Sequence, residues 1–157
     1  MRRRIAALLS TTLTLAGALF LLAACAPSGP TWVDSGASYT TPSLTAVYAK
    51  ADISKFTASS ASDTKQQRHD ALTSLRKHGG SASDAADLIT KTLPSNSRGV
   101  PIYVERATID GRHGLILVEA IGPPNGKLTT KQLWVLSDIG AVLFVGTRNS
   151  LQSTRTP

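Results

Sequence analysis

The sequence is poor in cysteine and in aromatic residues. Cys25 is the one cysteine among 157 residues, which excludes a disulfide framework within the chain and any metal site built on several cysteines. Aromatic residues make up 5% of the chain, so the interior is expected to be mainly aliphatic. The length suits one small domain with a single hydrophobic core.

Long basic runs are lacking as well. The formal net charge of +7 includes Arg2, Arg3 and Arg4. Without these three, the chain has 14 Lys and Arg residues and 10 Asp and Glu residues, which gives a net charge of +4. No Lys/Arg run is interleaved with aromatic residues, so we expect no nucleic-acid partner. The mild positive charge is consistent with simple solubility, and it also suits a position beside anionic lipid headgroups.

The residue patterns of common catalytic and metal sites are also missing. No two of the histidines (His69, His78 and His113) are four residues apart, so a helical pair of metal ligands is lacking. The sequence has no Gly-x-Ser-x-Gly elbow and no phosphate-binding glycine loop. We therefore expect no catalytic residues, no metal and no cofactor.

Two carboxylates, Glu105 and Glu119, fall within predicted strands and are the remaining acid–base candidates. A two-residue hairpin loop at 111–112 would send these side chains to opposite faces of the sheet. In that register Arg106 is diagonal to Glu119, and an ordinary cross-strand charge pair is expected. This arrangement disfavours a catalytic pair.

The first 24 residues have the three-part layout of a secretory signal. Arg2, Arg3 and Arg4 are followed by an apolar stretch at 5–22 and by two small residues before Cys25. We predict that 1–24 is a cleaved signal peptide. The alternative is an uncleaved membrane anchor with an unmodified Cys25, since the apolar stretch approaches the length of a membrane span.

The residues at the cleavage point, Leu22, Ala23, Ala24 and Cys25, resemble the lipobox of bacterial lipoprotein precursors. The resemblance covers 1–25 only. It implies a diacylglycerol thioether on the Cys25 sulfur, cleavage by signal peptidase II before Cys25, and acylation of the new amino group by a fatty acid such as palmitate. It therefore implies a protein anchored to the cell membrane by lipid and facing outside the cytoplasm.

Residues 26–42 are dominated by Pro, Ser, Gly and Thr, which favours a flexible tether. With the lipidated cysteine, the predicted tether is 25–42. Trp32 and Tyr39 are exceptions that either remain exposed or contact the membrane interface or the domain. A chain that starts near Ser43 is expected to fold alone.

The remaining sequence predicts one α+β domain over 43–150, with a frayed tail at 151–157. Helical periodicity gives a short helix at about 44–55, a clearer helix with a capping box at Asp63 and Gln66, and a helix that starts near Ser83. Strand patterns then form a four-stranded antiparallel meander, at 100–109, 113–122, 128–137 and 141–148. The two clearer helices should lie on one sheet face. The other face of the sheet is then expected to be partly exposed to water, covered by the first helix, or used for binding.

A turn at 138–140 that places Ser137 opposite Ala141 would also place Trp134 opposite Phe144. Such a cross-strand aromatic pair would stabilise the sheet by up to ~1 kcal/mol. The alternative is that the two rings form the wall of a ligand groove.

Three functions remain open. The first is a non-enzymatic envelope lipoprotein that displays a binding or interaction domain to a protein partner. The second is a cell-envelope hydrolase that uses Glu105, Glu119 or a histidine. The third is a small-molecule binder that uses the crevice between the helices and the sheet. A deep crevice with convergent polar groups would favour the second or third function, and a filled crevice the first.

Overall fold

The computed structural model describes residues 29–58, 60–93, 99–123 and 127–148. Along the chain the elements are β1 (Thr31–Tyr39), a 3-10 turn (Thr41–Ser43), three helices and four further strands. The helices are α1 (Leu44–Lys50), α2 (Ala61–His78) and α3 (Gly80–Thr92), and the strands are β2 (Val100–Ile109), β3 (Arg112–Ile121), β4 (Thr130–Ser137) and β5 (Val142–Gly146). The α+β class is confirmed.

The sheet has five strands in the order β1-β2-β3-β4-β5. Strands β2 to β5 form the antiparallel meander that the alternating pattern predicts. Strand β1 lies parallel to β2 at the edge, so the sheet is mixed rather than purely antiparallel. The described part of the chain contains no helix that is long and apolar enough to span a membrane.

The prediction of a flexible tether at 25–42 is wrong for residues 31–39, which form strand β1. Thr31–Tyr39 pairs with β2, where Thr31 lies opposite Tyr103 and Tyr39 lies opposite Ile109. Trp32 packs against the cluster beneath α2 and α3, and Val33 packs against the cluster on the opposite face. The Ser- and Gly-rich composition concealed this two-sided burial, which depends on a partner strand about 70 residues later in the chain.

The helices lie close to their expected positions, with differences at their ends. Helix α2 begins after Ser60, whose hydroxyl accepts a hydrogen bond from the Asp63 backbone N–H at 3.1 Å. The cap is therefore three residues earlier than the predicted one. Helix α1 ends at Lys50, before the predicted end at about 55, and α3 begins at Gly80 rather than near Ser83.

Two apolar clusters lie on the two faces of the sheet. Helices α2 and α3 cover one face, where they pack on β2, β3 and β4 through Val104, Leu115, Leu117 and Leu136. Helix α1 and the loop to Ala58 cover the other face, above Ile116, Val118, Leu133 and Val135. Of the alternatives for that second face, the one in which the first helix covers it is therefore observed.

The hairpin between β2 and β3 turns at Asp110 and Gly111, because Ile109 pairs with Arg112. This register differs by two residues from the one assumed for a loop at 111–112. A shift of two preserves which face each side chain occupies, so Glu105 and Glu119 do point to opposite faces. The expected pair of Arg106 with Glu119 is wrong, because Arg106 lies opposite Leu115.

The predicted pairing of Trp134 with Phe144 is also wrong. The turn does bring the Ser137 backbone N–H to the Ala141 carbonyl, at 2.8 Å. A bulge then shifts the register, so Trp134 pairs with Val145 and Phe144 pairs with Val135. One inserted residue sends the two rings to opposite faces of the sheet.

The sheet has two ends, which are named here after the ends of β1. The Thr31 end holds the starts of β1, β2 and β4, and the Tyr39 end holds their ends together with the turns at 110–111 and 138–141. The predicted signal peptide at 1–24, Cys25 with its lipobox, and the tail at 151–157 lie outside the described residues.

Candidate ligand-binding crevice

An open crevice of about 600 Å³ lies between α3 and the sheet, toward the Tyr39 end. From α3 it is lined by Asp84, Asp87, Leu88 and Lys91, together with Ala85 at its base. These residues recur at spacings of three and four, so they form one side of the helix. Ala85 is buried and belongs to the apolar cluster between the helices and the sheet.

The sheet forms the opposite wall of the crevice. Arg106 comes from β2, His113, Gly114 and Leu115 come from β3, and Asp138 comes from the turn after β4. Gly114 permits the close approach of the strands here, since a Cβ at that position would lie 2.6 Å from the Leu136 carbonyl oxygen. Leu115 adds an apolar floor beside these polar groups.

The crevice carries side chains of both charges, and most of them are free. Asp87 accepts a hydrogen bond from Arg76 Nε at 2.9 Å, and His113 Nδ1 lies 3.3 Å from Thr108 Oγ1. No side-chain hydrogen bond or ion pair to another described residue occupies Asp84, Lys91, Arg106 or Asp138. Two carboxylates and two cations are therefore available to a ligand.

Glu119 lies outside this crevice and belongs to a buried ion pair. Its Oε1 accepts a short hydrogen bond from Arg68 Nη1, and its Oε2 accepts one from Trp134 Nε1 at 2.9 Å. The same Arg68 nitrogen donates to the Gly99 carbonyl at 2.8 Å. Glu119 is 1% exposed, so its charge is held by these partners rather than by water.

Glu105 is equally buried and is surrounded by hydroxyl donors. Its Oε1 accepts from Ser35 Oγ at 2.6 Å and from Tyr39 Oη at 3.0 Å, and its Oε2 accepts from Tyr103 Oη at 2.7 Å. Burial and the neighbouring Glu105 carboxylate raise the pKa of both Tyr39 and Tyr103 above 10.0. The tyrosines therefore remain hydrogen-bond donors at neutral pH. Tyr39 and Ser35 tie β1 to β2 through Glu105, whereas Tyr103 lies on the same strand as Glu105.

The structure separates the residues that the sequence offered as catalytic candidates. Glu105 and Glu119 lie on opposite faces, and neither lines the crevice. His113 does line it, whereas His69 and His78 lie on α2. Within the described ranges, no group of three His, Cys, Asp or Glu side chains is placed to hold a metal.

The charged lining of the crevice was not predicted from the sequence. Asp84 and Asp87 fall in the first turn of the helix predicted to start near Ser83, where acidic side chains favour the helix start without any binding role, and Arg106 was assigned only as the partner of Glu119. The spacing of Asp84, Asp87 and Lys91 along one side of α3 was a usable signal. It could not show that this side of α3 faces Arg106 and Asp138, because that contact depends on the packing of the helix on the sheet.

Comparison of the chain with protein-family models, with curated proteins and with solved structures finds no match in any of the three. The sequence pattern at Cys25 and the geometry of the crevice are therefore the observations that bear on function.

Proposed function

We propose that this chain is an exported lipoprotein held on the outer side of the cell membrane by lipid on Cys25, and that its domain binds a small dipolar ligand in the crevice. The membrane anchor is supported by the signal-like layout of 1–24 and by the lipobox resemblance at 22–25. Two or three acyl chains hold a protein far more firmly than one.

The observation that carries the binding proposal is the open crevice of about 600 Å³ with unpaired groups of both charges. That volume falls within the range of about 300–1,000 Å³ that is typical of small-molecule sites. Arg106 and Lys91 can bind an anionic group, and Asp84 and Asp138 can bind a cationic group. A small zwitterion, such as an amino acid or a short peptide, matches this distribution of charge.

The lining favours a binding module over a hydrolase. General acid–base catalysis needs two groups within hydrogen-bond reach of one reacting atom. Glu105 and Glu119 are engaged by other side chains on opposite faces, and His113 contacts Thr108 rather than a carboxylate. The crevice thus offers charged groups for recognition, without a nucleophile oriented by a base.

The anchor is tested by mass spectrometry of the protein from membranes. The wild-type chain should begin at Cys25 and carry acyl mass there, and Cys25→Ser should carry none. Recovery of an unmodified mature chain that begins at another residue would contradict the proposal.

The crevice is tested by NMR titration of the mature Cys25→Ser chain with a set of free amino acids and dipeptides. Binding should shift the amide signals of α3 and of the turn at 138–141. Arg106→Ala should weaken that binding at least tenfold. Arg112→Ala is the matched control, because Arg112 is exposed nearby and does not line the crevice.

A protein partner is the second candidate, since β5 exposes Val142, Leu143 and Val145 at the edge of the sheet. If no zwitterion shifts the α3 signals, and a membrane protein crosslinks to β5 instead, the interaction-module function replaces the small-molecule one.

A further inference from the structure

The packed domain begins very soon after the proposed lipid anchor. Gly29 already lies against α2, where Ser74 occupies the space that a Cβ would need. Pro30 is buried and β1 starts at Thr31. Only residues 26–28 separate Cys25 from Gly29, so four Cα-to-Cα steps span at most about 14 Å. The lipid and the fold must therefore lie close together.

The position of Gly29 and Thr31 decides which end of the domain is close to the lipid. Thr31 pairs with Tyr103, near the start of β2. Antiparallel pairing places the end of β3, the start of β4 and the end of β5 at this same Thr31 end. The short link from Cys25 thus reaches this end of the sheet before the Tyr39 end.

The charges at the Thr31 end suit an anionic lipid surface. Lys127 precedes β4 and Arg148 follows β5, and both side chains are exposed. Lys131, at the start of β4, is half-buried and donates to the Tyr48 and Ala51 carbonyls, at 2.5 and 2.9 Å. Exposed cations within a Debye length of anionic headgroups are attracted to them.

The crevice lies toward the other end of the sheet. Its lining includes His113 and Gly114 at the start of β3 and Asp138 just after β4. The turns at the Tyr39 end expose Asp110, Arg112 and Asp138, which together carry no excess of positive charge to attract anionic headgroups.

We propose that the Thr31 end of the domain rests on the anionic surface of the membrane, so that the crevice opens away from the bilayer and takes its ligand from the aqueous side. This orientation rests on the proposed lipid at Cys25. It follows from a link too short to let the domain turn over freely, with Lys127 and Arg148 contacting the headgroups.

The two ends of β4 provide a matched pair of label sites. Thr129 and Ile139 are both exposed, and the eight residues of β4 between them span about 26 Å at ~3.3 Å per residue. Thr129→Cys and Ile139→Cys are made in the full lipidated protein, where Cys25 carries the lipid and the introduced thiol alone takes a fluorophore. The protein is placed in vesicles that contain phosphatidylglycerol and a quencher attached to lipid headgroups.

We expect the label at 129 to be quenched at least threefold more strongly than the label at 139. A flexible Gly/Ser insertion of about 20 residues between Ser28 and Gly29 should remove most of that difference, because the domain can then reorient. Equal quenching at the two sites without the insertion, or stronger quenching at 139, would overturn the orientation.

The same experiment separates this inference from the proposed function. A protein that fails to float with vesicles lacks the lipid anchor, which contradicts the proposed function and the orientation with it. If the protein floats with the vesicles and the two labels are quenched equally, the lipid anchor is supported and only the proposed orientation is contradicted.

Discussion

Arg68 on α2 and Glu119 on β3 form an ion pair beneath the helix layer, with side chains 7% and 1% exposed. Trp134 completes the site from β4. The pair joins α2 to the central strands, and the Gly99 carbonyl accepts a second hydrogen bond from the same Arg68 nitrogen. Four segments of the chain therefore meet at this buried ion pair, namely α2, β3, β4 and the residue that precedes β2.

Arg68→Met should destabilise the fold strongly. It leaves the Glu119 carboxylate buried without its cation, a change that typically costs about 3–5 kcal/mol. Urea denaturation of the mature Cys25→Ser chain measures the loss. Arg76→Met is the matched control, because the pair of Arg76 with Asp87 is exposed and should contribute at most about 1 kcal/mol. Equal losses for the two variants would contradict a structural role for the buried pair.

Stability should fall above about pH 10 because of the tyrosines around Glu105. The folded protein raises the pKa of Tyr39 and Tyr103 above the value of 10.0 expected in the unfolded chain. The unfolded state therefore releases these protons first, which favours unfolding as the pH rises. Below that pH the contribution is fully present.

Thermal melts across the alkaline range measure this dependence. Tyr103→Phe removes one of the two ionising hydroxyls and should make the fall with pH shallower, although it also lowers stability at neutral pH by deleting a donor to Glu105. An unchanged slope in Tyr103→Phe would show that other groups cause the alkaline loss.

A chain that begins at Ser43 should be much less stable than one that begins at Ala26. It lacks β1, and with it the donors from Ser35 and Tyr39 to Glu105. It also exposes the edge of β2 and part of both apolar clusters. This reverses the sequence-based expectation that a chain starting near Ser43 folds alone. Circular dichroism melts of the two chains decide the question, and equal melting temperatures would restore the original boundary.

Trp134 and Phe144 should contribute to stability independently. They lie on opposite faces because of the bulge in the β4–β5 pair, so a double-mutant cycle with Trp134→Phe and Phe144→Leu should give a coupling energy within about 0.5 kcal/mol of zero. The cycle of Trp134→Phe with Glu119→Gln should give a clearly larger value, because these two side chains share a hydrogen bond. A large coupling between the rings would support the direct aromatic pair.

The sequence by itself determined the antiparallel meander and its faces. Alternation of period two in β2, β3 and β4, with short turns between the strands, was sufficient because these pairings are local. Even a register error of two residues left Glu105 and Glu119 on their correct faces. Helix α2 was also predicted, because helical periodicity is a local signal, although its cap at Ser60 lies three residues before the predicted one.

Tertiary structure decided the features that depend on distant partners. Strand β1 looked like a tether because its polar composition gave no local sign of β2, with which it pairs. The bulge in β5 depends on how that strand pairs with β4, and it places Trp134 and Phe144 on opposite faces of the sheet. The partner of Glu119 proved to be Arg68, 51 residues away. The crevice likewise exists only once α3 lies over Arg106 and Asp138, because no local pattern encodes the contact of a helix with a sheet.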